Sequence, residues 1–172
     1  GGSGNASTSV DLTNYYVTVP SNSLKLALWR YSEIMLHPII EQETIDIQRE
    51  AVKEEKRLRD NQPYVPRFYE YLKRNFFKDH PYKHPIIGYF EDLDNSSLED
   101  FLNFKEKFYA PSNAVFVVAG DIDIDETKEL ISEYFNEIPF KGEKPVKNYP
   151  KEQPLTDEIR VKEYDPNIQI PA

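Results

Sequence analysis

The run from Glu41 to Arg59, EQETIDIQREAVKEEKRLR, constrains this chain more than any other stretch. Wound as a helix at about 100° per residue, it places Ile45, Gln48, Ala51, Val52, Glu55 and Leu58 on one face. Glu50, Lys53, Glu54 and Arg57 fall elsewhere. Glu55 therefore points where an apolar side chain is expected. A carboxylate on a buried stripe loses several kcal/mol of hydration unless a partner meets it, roughly the cost of an unpaired buried charge. The partner is a metal ion, an Arg or Lys, or a proton, and the helix alone does not choose among them.

The 172 residues suit one domain with a sizeable core, and 39% hydrophobic with 30% charged residues is a globular composition. A net charge of -9, with the basic residues interleaved among acids, argues against nucleic acid as a partner. No apolar run reaches the length of a membrane span. The absence of cysteine removes disulfides, thiol catalysis and Cys-ligated zinc from consideration. The chain opens in GGSGNASTS without Met, which reads either as removal of a signal and upstream sequence or as a fragment of something longer.

Residues 1–9 are rich in Gly, Ser, Thr and Asn and by composition form a flexible loop. Thr13 to Pro20 reads as a strand. Ser21 and Ser23 offer N-caps to a helix carrying Leu24, Ala27, Leu28, Tyr31, Ile34 and Met35, ended by Pro38. After the Glu41–Arg59 helix, another over about 67–77 aligns Phe68, Tyr71, Leu72 and Asn75. Residues 78–94 read as an ordered loop, and a capping box from Ser96 to Glu99 opens a helix with Phe101, Phe104, Lys105 and Phe108 on one face. Ala114 to Ala119, AVFVVA, reads as a buried strand, and a final helix carries Leu130, Ile131, Tyr134 and Phe135. Beyond Pro139, four prolines and four lysines in PFKGEKPVKNYPKEQP mark an extended linker, followed by a last strand over Glu158 to Tyr164. This order predicts an α+β fold, with helices packed on one face of a mostly antiparallel sheet.

Few residues carry evident chemistry. His80 and His84 are four apart, but Pro81 and Pro85 follow them directly and deny the helix that would align them on a metal. His37 reads as a helix C-cap. The glycines form no phosphate loop and the serines no nucleophile elbow. The residues alone thus offer one suspicious carboxylate and no complete catalytic set.

Four blocks, taken together, resemble the insulinase and pitrilysin family of zinc metallopeptidases, which includes the mitochondrial processing peptidases. Gly-Gly-Ser-Gly followed by Asn5, Ala6, Thr8, Asp11, Thr13 and Tyr16 is similar to the family's glycine-led N-A-x-T stretch. REAVKEEKRLR resembles its R-x-x-V-x-x-E segment. HPYKHPIIG leads into an acidic spacer and a capped helix, and FYAPSNAVFVVAGDID is similar to its Y-x-P-x-N block ending in G-D. Their order and spacing cover most of residues 1–140.

The resemblance implies a zinc-dependent endopeptidase acting on extended peptides in a closed chamber. Residues 1–140 would be the central and C-terminal part of its catalytic domain, and 141–172 a linker and strand leading to a second, similar domain or subunit. Zinc in this family is held by an H-x-x-E-H motif and a distant Glu. The distant ligand matches Glu55. The H-x-x-E-H motif, with its general base, would lie upstream of Gly1, so the parent protein would hold Zn2+ and this chain alone would hold none and be inactive. Gln48 stands where relatives often have a Glu, and would orient Glu55 by hydrogen bonding. Asn5, Ala6, Ser7 and Thr8 would form a sheet edge to which the peptide substrate adds as a strand. The competing implication is a non-catalytic homologous subunit that acts in binding or assembly.

Overall fold

The computed structural model describes residues 1–139, 144–166 and 168, and for residues 65–67 the backbone alone. The chain is α+β: an antiparallel hairpin, β1 (Ser3–Thr8) and β2 (Thr13–Thr18), followed by six helices. These are α1 (Leu24–Leu36), α2 (Gln42–Asp60), α3 (Val65–Phe76), α4 (Phe90–Asn95), α5 (Leu98–Phe108) and α6 (Ile124–Phe135). They fall into two compact units, Gly1–Glu41 with Ser97–Val146, and Gln42–Ser96 with Lys147–Ala172.

In the first unit, Leu28 of α1 is fully buried, and Leu130 and Thr127 of α6 are buried with it as the two helices pack together. The small Ser32 allows close approach and turns its hydroxyl back to the Trp29 carbonyl at 2.8 Å. Tyr31, Phe116 and Phe135 extend this core as an aromatic cluster, with ring centroids 6.4 and 4.9 Å apart. Under the hairpin, the Tyr15 and Tyr109 hydroxyls meet at 2.6 Å. Burial first, and then this bond, push the Tyr15 phenol up to about 12.

Several sequence expectations need correction. Residues 1–9 are not a loop, because Ser3–Thr8 pairs residue for residue with Thr13–Thr18. The segment 114–119 joins no ladder among the described residues. Its apolar run is not a buried strand, since Val115 is 91% and Val117 76% exposed. A strand is defined by a hydrogen-bonded neighbour, and residue type supplies none. Glu158–Tyr164 forms no strand for the same reason. The capping box uses Ser97 and Asp100, one residue later than read: Ser97 Oγ accepts from Asp100 N, and Asp100 Oδ2 accepts from Ser97 N at 2.9 Å. The ordered loop 78–94 contains a 3₁₀ turn at Pro81–Lys83 and most of α4. The expected linker falls partly outside the described residues, at 140–143, 167 and 169–172.

In the second unit α2 packs against α3 and α4. Its inner face is Ile45, Arg49, Val52, Lys53 and Lys56, not the predicted stripe. Ile45 and Val52 belong to both, but Gln48, Ala51, Glu55 and Leu58 are exposed. The long basic side chains explain the difference. Arg49 donates to the Leu93 and Ser96 carbonyls, both at 2.7 Å, and Lys53 reaches Asp94 at 2.6 Å and Glu50 at 3.1 Å. Those bonds, to Asp94 first, hold the Lys53 ammonium above its ordinary value. Lys56 buries its stem, lays its ammonium 5.5 Å from the Phe90 ring centre and pairs with Asp60 at 3.3 Å.

Candidate functional site

Glu55 lies near the C-terminal end of α2, and its side chain is 51% exposed. Its Oε1 accepts from Arg59 Nη2 at 2.6 Å, an i,i+4 pair. Of the three partners left open by the sequence, the structure supplies the arginine. It was foreseeable from the spacing, since a Glu four residues before an Arg is a favoured helical pair. The expectation that Glu55 sits on a buried stripe is overturned, because its neighbour Lys56 takes that position. An exposed pair of this kind contributes about 0.3–0.5 kcal/mol, so Arg59 can release the carboxylate at little cost.

Gln48 is on the same side of α2 two turns earlier, exposed, and makes no hydrogen bond to Glu55. Among the described residues no three His, Cys, Asp or Glu side chains gather into a metal-binding group. Glu55 belongs to no such group among the described residues, and a lone exposed carboxylate is one oxygen donor of the several that zinc needs. His80 and His84 flank the 3₁₀ turn and face aromatic rings, His80 with Tyr82 and Tyr149, His84 with Tyr89.

Asn5, Ala6, Ser7 and Thr8 form most of β1, and all are exposed. The Ser9 N–H donates to the Leu12 carbonyl at 2.8 Å, which brackets Thr8 and Thr13 as a non-hydrogen-bonded pair. Alternation along an antiparallel ladder then directs the backbone groups of Ser3, Asn5 and Ser7 to β2. Those of Gly4, Ala6 and Thr8 face the other way, along an edge that no strand among the described residues occupies. The Ala6 N–H on that edge is met only by its neighbour's amide, Asn5 Oδ1, at 2.8 Å. Gly4 fits the ladder closely: a Cβ there would stand 3.0 Å from the Tyr16 carbonyl, which would have to give by a few tenths of an ångström. Behind the start of the hairpin is a recess of about 220 Å³, walled by Gly2, Gly4, Val17, Val19, Leu26 and Ala27, with Arg30 at its side.

The family model for insulinase, peptidase family M16, matches residues 1–89, which contain both β1 and α2. The chain belongs to the insulinase (peptidase M16) family. A second model of the family, described as the peptidase M16 inactive domain, matches residues 95–171. The zinc protease PqqE of Helicobacter pylori is 30% identical over 161 residues, 93% of this chain and 36% of that protein. An uncharacterized zinc protease of Mycobacterium leprae is 30% identical over 142 residues, covering 83% and 32% of the two chains. Among solved structures, that of a protease from Helicobacter pylori superposes with a TM-score of 0.81 at 31% identity, over 88% of this chain and 38% of that one. This M16 chain thus spans about a third of the length of the relatives it matches. No helix among its described residues is long and apolar enough to cross a membrane.

Proposed function

We propose that this M16 chain is part of a zinc-dependent endopeptidase that holds its peptide substrate in extended form along β1. The observation that carries the reading is the edge of β1 that no strand among the described residues occupies. The backbone groups of Gly4, Ala6 and Thr8 face it, so a peptide adding there would be bound through main-chain hydrogen bonds largely independent of its sequence. Asn5, Ala6, Ser7 and Thr8 are the binding positions in this reading. Glu55 is the metal ligand contributed by this chain, exposed and tied only by a weak pair that a divalent cation outcompetes. Gln48 acts through Glu55 by orienting it once the site is filled. Zinc, when bound, supplies a Lewis acid and a nucleophilic water near neutral pH. The general base and remaining ligands come from an H-x-x-E-H segment elsewhere in the parent, and the chain alone is inactive.

In the same reading residues 1–140 belong to the catalytic domain, and 141–172 connect it to a second, similar domain that helps close a chamber. The test is Glu55→Gln in the parent protein. Zinc affinity should fall by at least the roughly 10- to 100-fold seen when supporting partners of a metal ligand are removed, and peptidase activity with it. Normal zinc content and rate in the variant overturn the assignment.

The second reading, a non-catalytic subunit for binding or assembly, is favoured by one observation: residues 95–171 match the model described as an inactive domain. An intact H-x-x-E-H in the parent decides for the peptidase, and its loss decides for the subunit.

A further inference from the structure

The stretch after residue 144 has the composition of a free linker, yet it is fastened to the second unit at three separate places. Glu152 is the first. Its carboxylate accepts from three consecutive backbone N–H groups, Lys78 at 3.1 Å, Asp79 at 2.8 Å and His80 at 2.5 Å. The bond from His80, followed by those from Lys78 and Asp79, holds the Glu152 carboxyl below its ordinary 4.5. Consecutive N–H groups converging on one point form an anion-binding nest, and a carboxylate that fills it makes charge-assisted bonds. The nest is itself braced, since Lys83 Nζ donates to the Lys78 carbonyl at 3.0 Å and Tyr82 N donates to His80 Nδ1 at 3.2 Å.

The second fastening is aromatic. The Tyr149 ring lies 5.1 Å from that of His80, which also contacts Tyr82 at 4.3 Å and Phe77 at 5.7 Å. The third is the ion pair between Arg74 Nη2 of α3 and Glu163 Oε1 at 2.8 Å. Pro145, Pro150 and Pro154 lower the entropy lost when this stretch is ordered.

We propose that Glu152, seated in the nest of Lys78, Asp79 and His80, is a latch that turns the Pro- and Lys-rich stretch into an ordered strap across the end of α3. The chain between 147 and 164 then follows one path. In the proposed function above, on which this consequence rests, the latch fixes the point from which the second domain departs.

The experiment uses the full-length parent with Glu152→Ala and Glu152→Gln, and Glu158→Gln as control, since Glu158 bonds Arg160 at the exposed surface. Amide exchange at residues 78–80 and tryptic cleavage after Lys147, a site the substitution does not touch, should both accelerate by about tenfold or more in Glu152→Ala, as expected for loss of hydrogen bonds to a charged group. Glu158→Gln should leave both unchanged. Added acetate should slow exchange again in Glu152→Ala by refilling the nest, but not in Glu152→Gln, whose amide still occupies it. If Glu152→Ala does not fold, acceleration in Glu152→Gln supports the latch in its place. Wild-type exchange and cleavage in both variants overturn the latch. A parent without peptidase activity overturns the proposed function and leaves the exchange result standing.

Discussion

Glu55 and Lys56 are separated by one position and about 100° of helix, and their surroundings are opposite. The lysine is 4% exposed, with its stem packed and its ammonium placed between Phe90 and Asp60. The glutamate faces solvent with Arg59. Their substitutions should therefore separate cleanly. Lys56→Ala should cost about 2 kcal/mol, the lower end for truncating a long buried side chain. Lys56→Met, which keeps the stem, should cost less. Glu55→Ala should change stability by no more than about 0.5 kcal/mol, as for an exposed ion pair. Urea unfolding midpoints at constant m-value measure all three. A Glu55→Ala cost equal to that of Lys56→Ala would contradict the orientation of α2.

At the scale of elements, α5 has the best-defined start. Ser97 and Asp100 satisfy one another's backbone N–H groups, and the Ser97 hydroxyl, then its N–H, holds the Asp100 carboxyl below its ordinary 3.8. A carboxylate with a depressed folded value stabilises the fold above its unfolded value, and that contribution is lost as pH falls through the folded one. Asp100→Asn should therefore be less stable than wild type at neutral pH. The difference should shrink below about pH 4 and vanish at lower pH, as followed by thermal melts across the acid range. Ser97→Ala should cost about 1 kcal/mol at neutral pH. All the helices but the short α4 were legible because their signals are local: apolar spacing, capping residues and Pro38 as a stop. The hairpin was less legible from composition, because Gly, Ser, Asn and Thr serve both loops and edge strands. The family resemblance was the firm pointer to a strand there. The cap register slipped by one because two serines are adjacent, and the choice between them depends on backbone angles that composition does not contain.

At the scale of the molecule, the first unit is centred on α1 against α6. Leu28, 1% exposed, is its most enclosed large side chain, and Leu28→Ala should cost about 3 kcal/mol, measurable by the same urea midpoints. Beyond that core, Val115 and Val117 lie open on a segment with no ladder partner among the described residues. If residues 1–140 belong to a larger catalytic domain, as proposed, this segment completes its pairing there. Amide exchange at Val115 and Val117 should then be slow in the parent protein and fast in the 172-residue chain. Equal exchange in the two would contradict the proposed domain assignment.

Five of the six helices, the α+β class and, through the order of four blocks, the family follow from the amino-acid sequence without further information, whereas the short α4 was read as loop. Each rests on short-range patterns that survive without knowledge of which face meets which. That Lys56 rather than Glu55 turns inward emerges only in three dimensions. A long basic side chain can bury its stem and still place its charge beside Asp60 and Phe90, which a scale that counts lysine as polar does not register. Among the described residues the folded chain also leaves AVFVVA without a ladder partner, since hydrogen bonding needs a second strand, and it straps down a linker-like stretch through Glu152. That latch joins residues more than 70 positions apart, a separation at which no periodicity or composition window carries a signal.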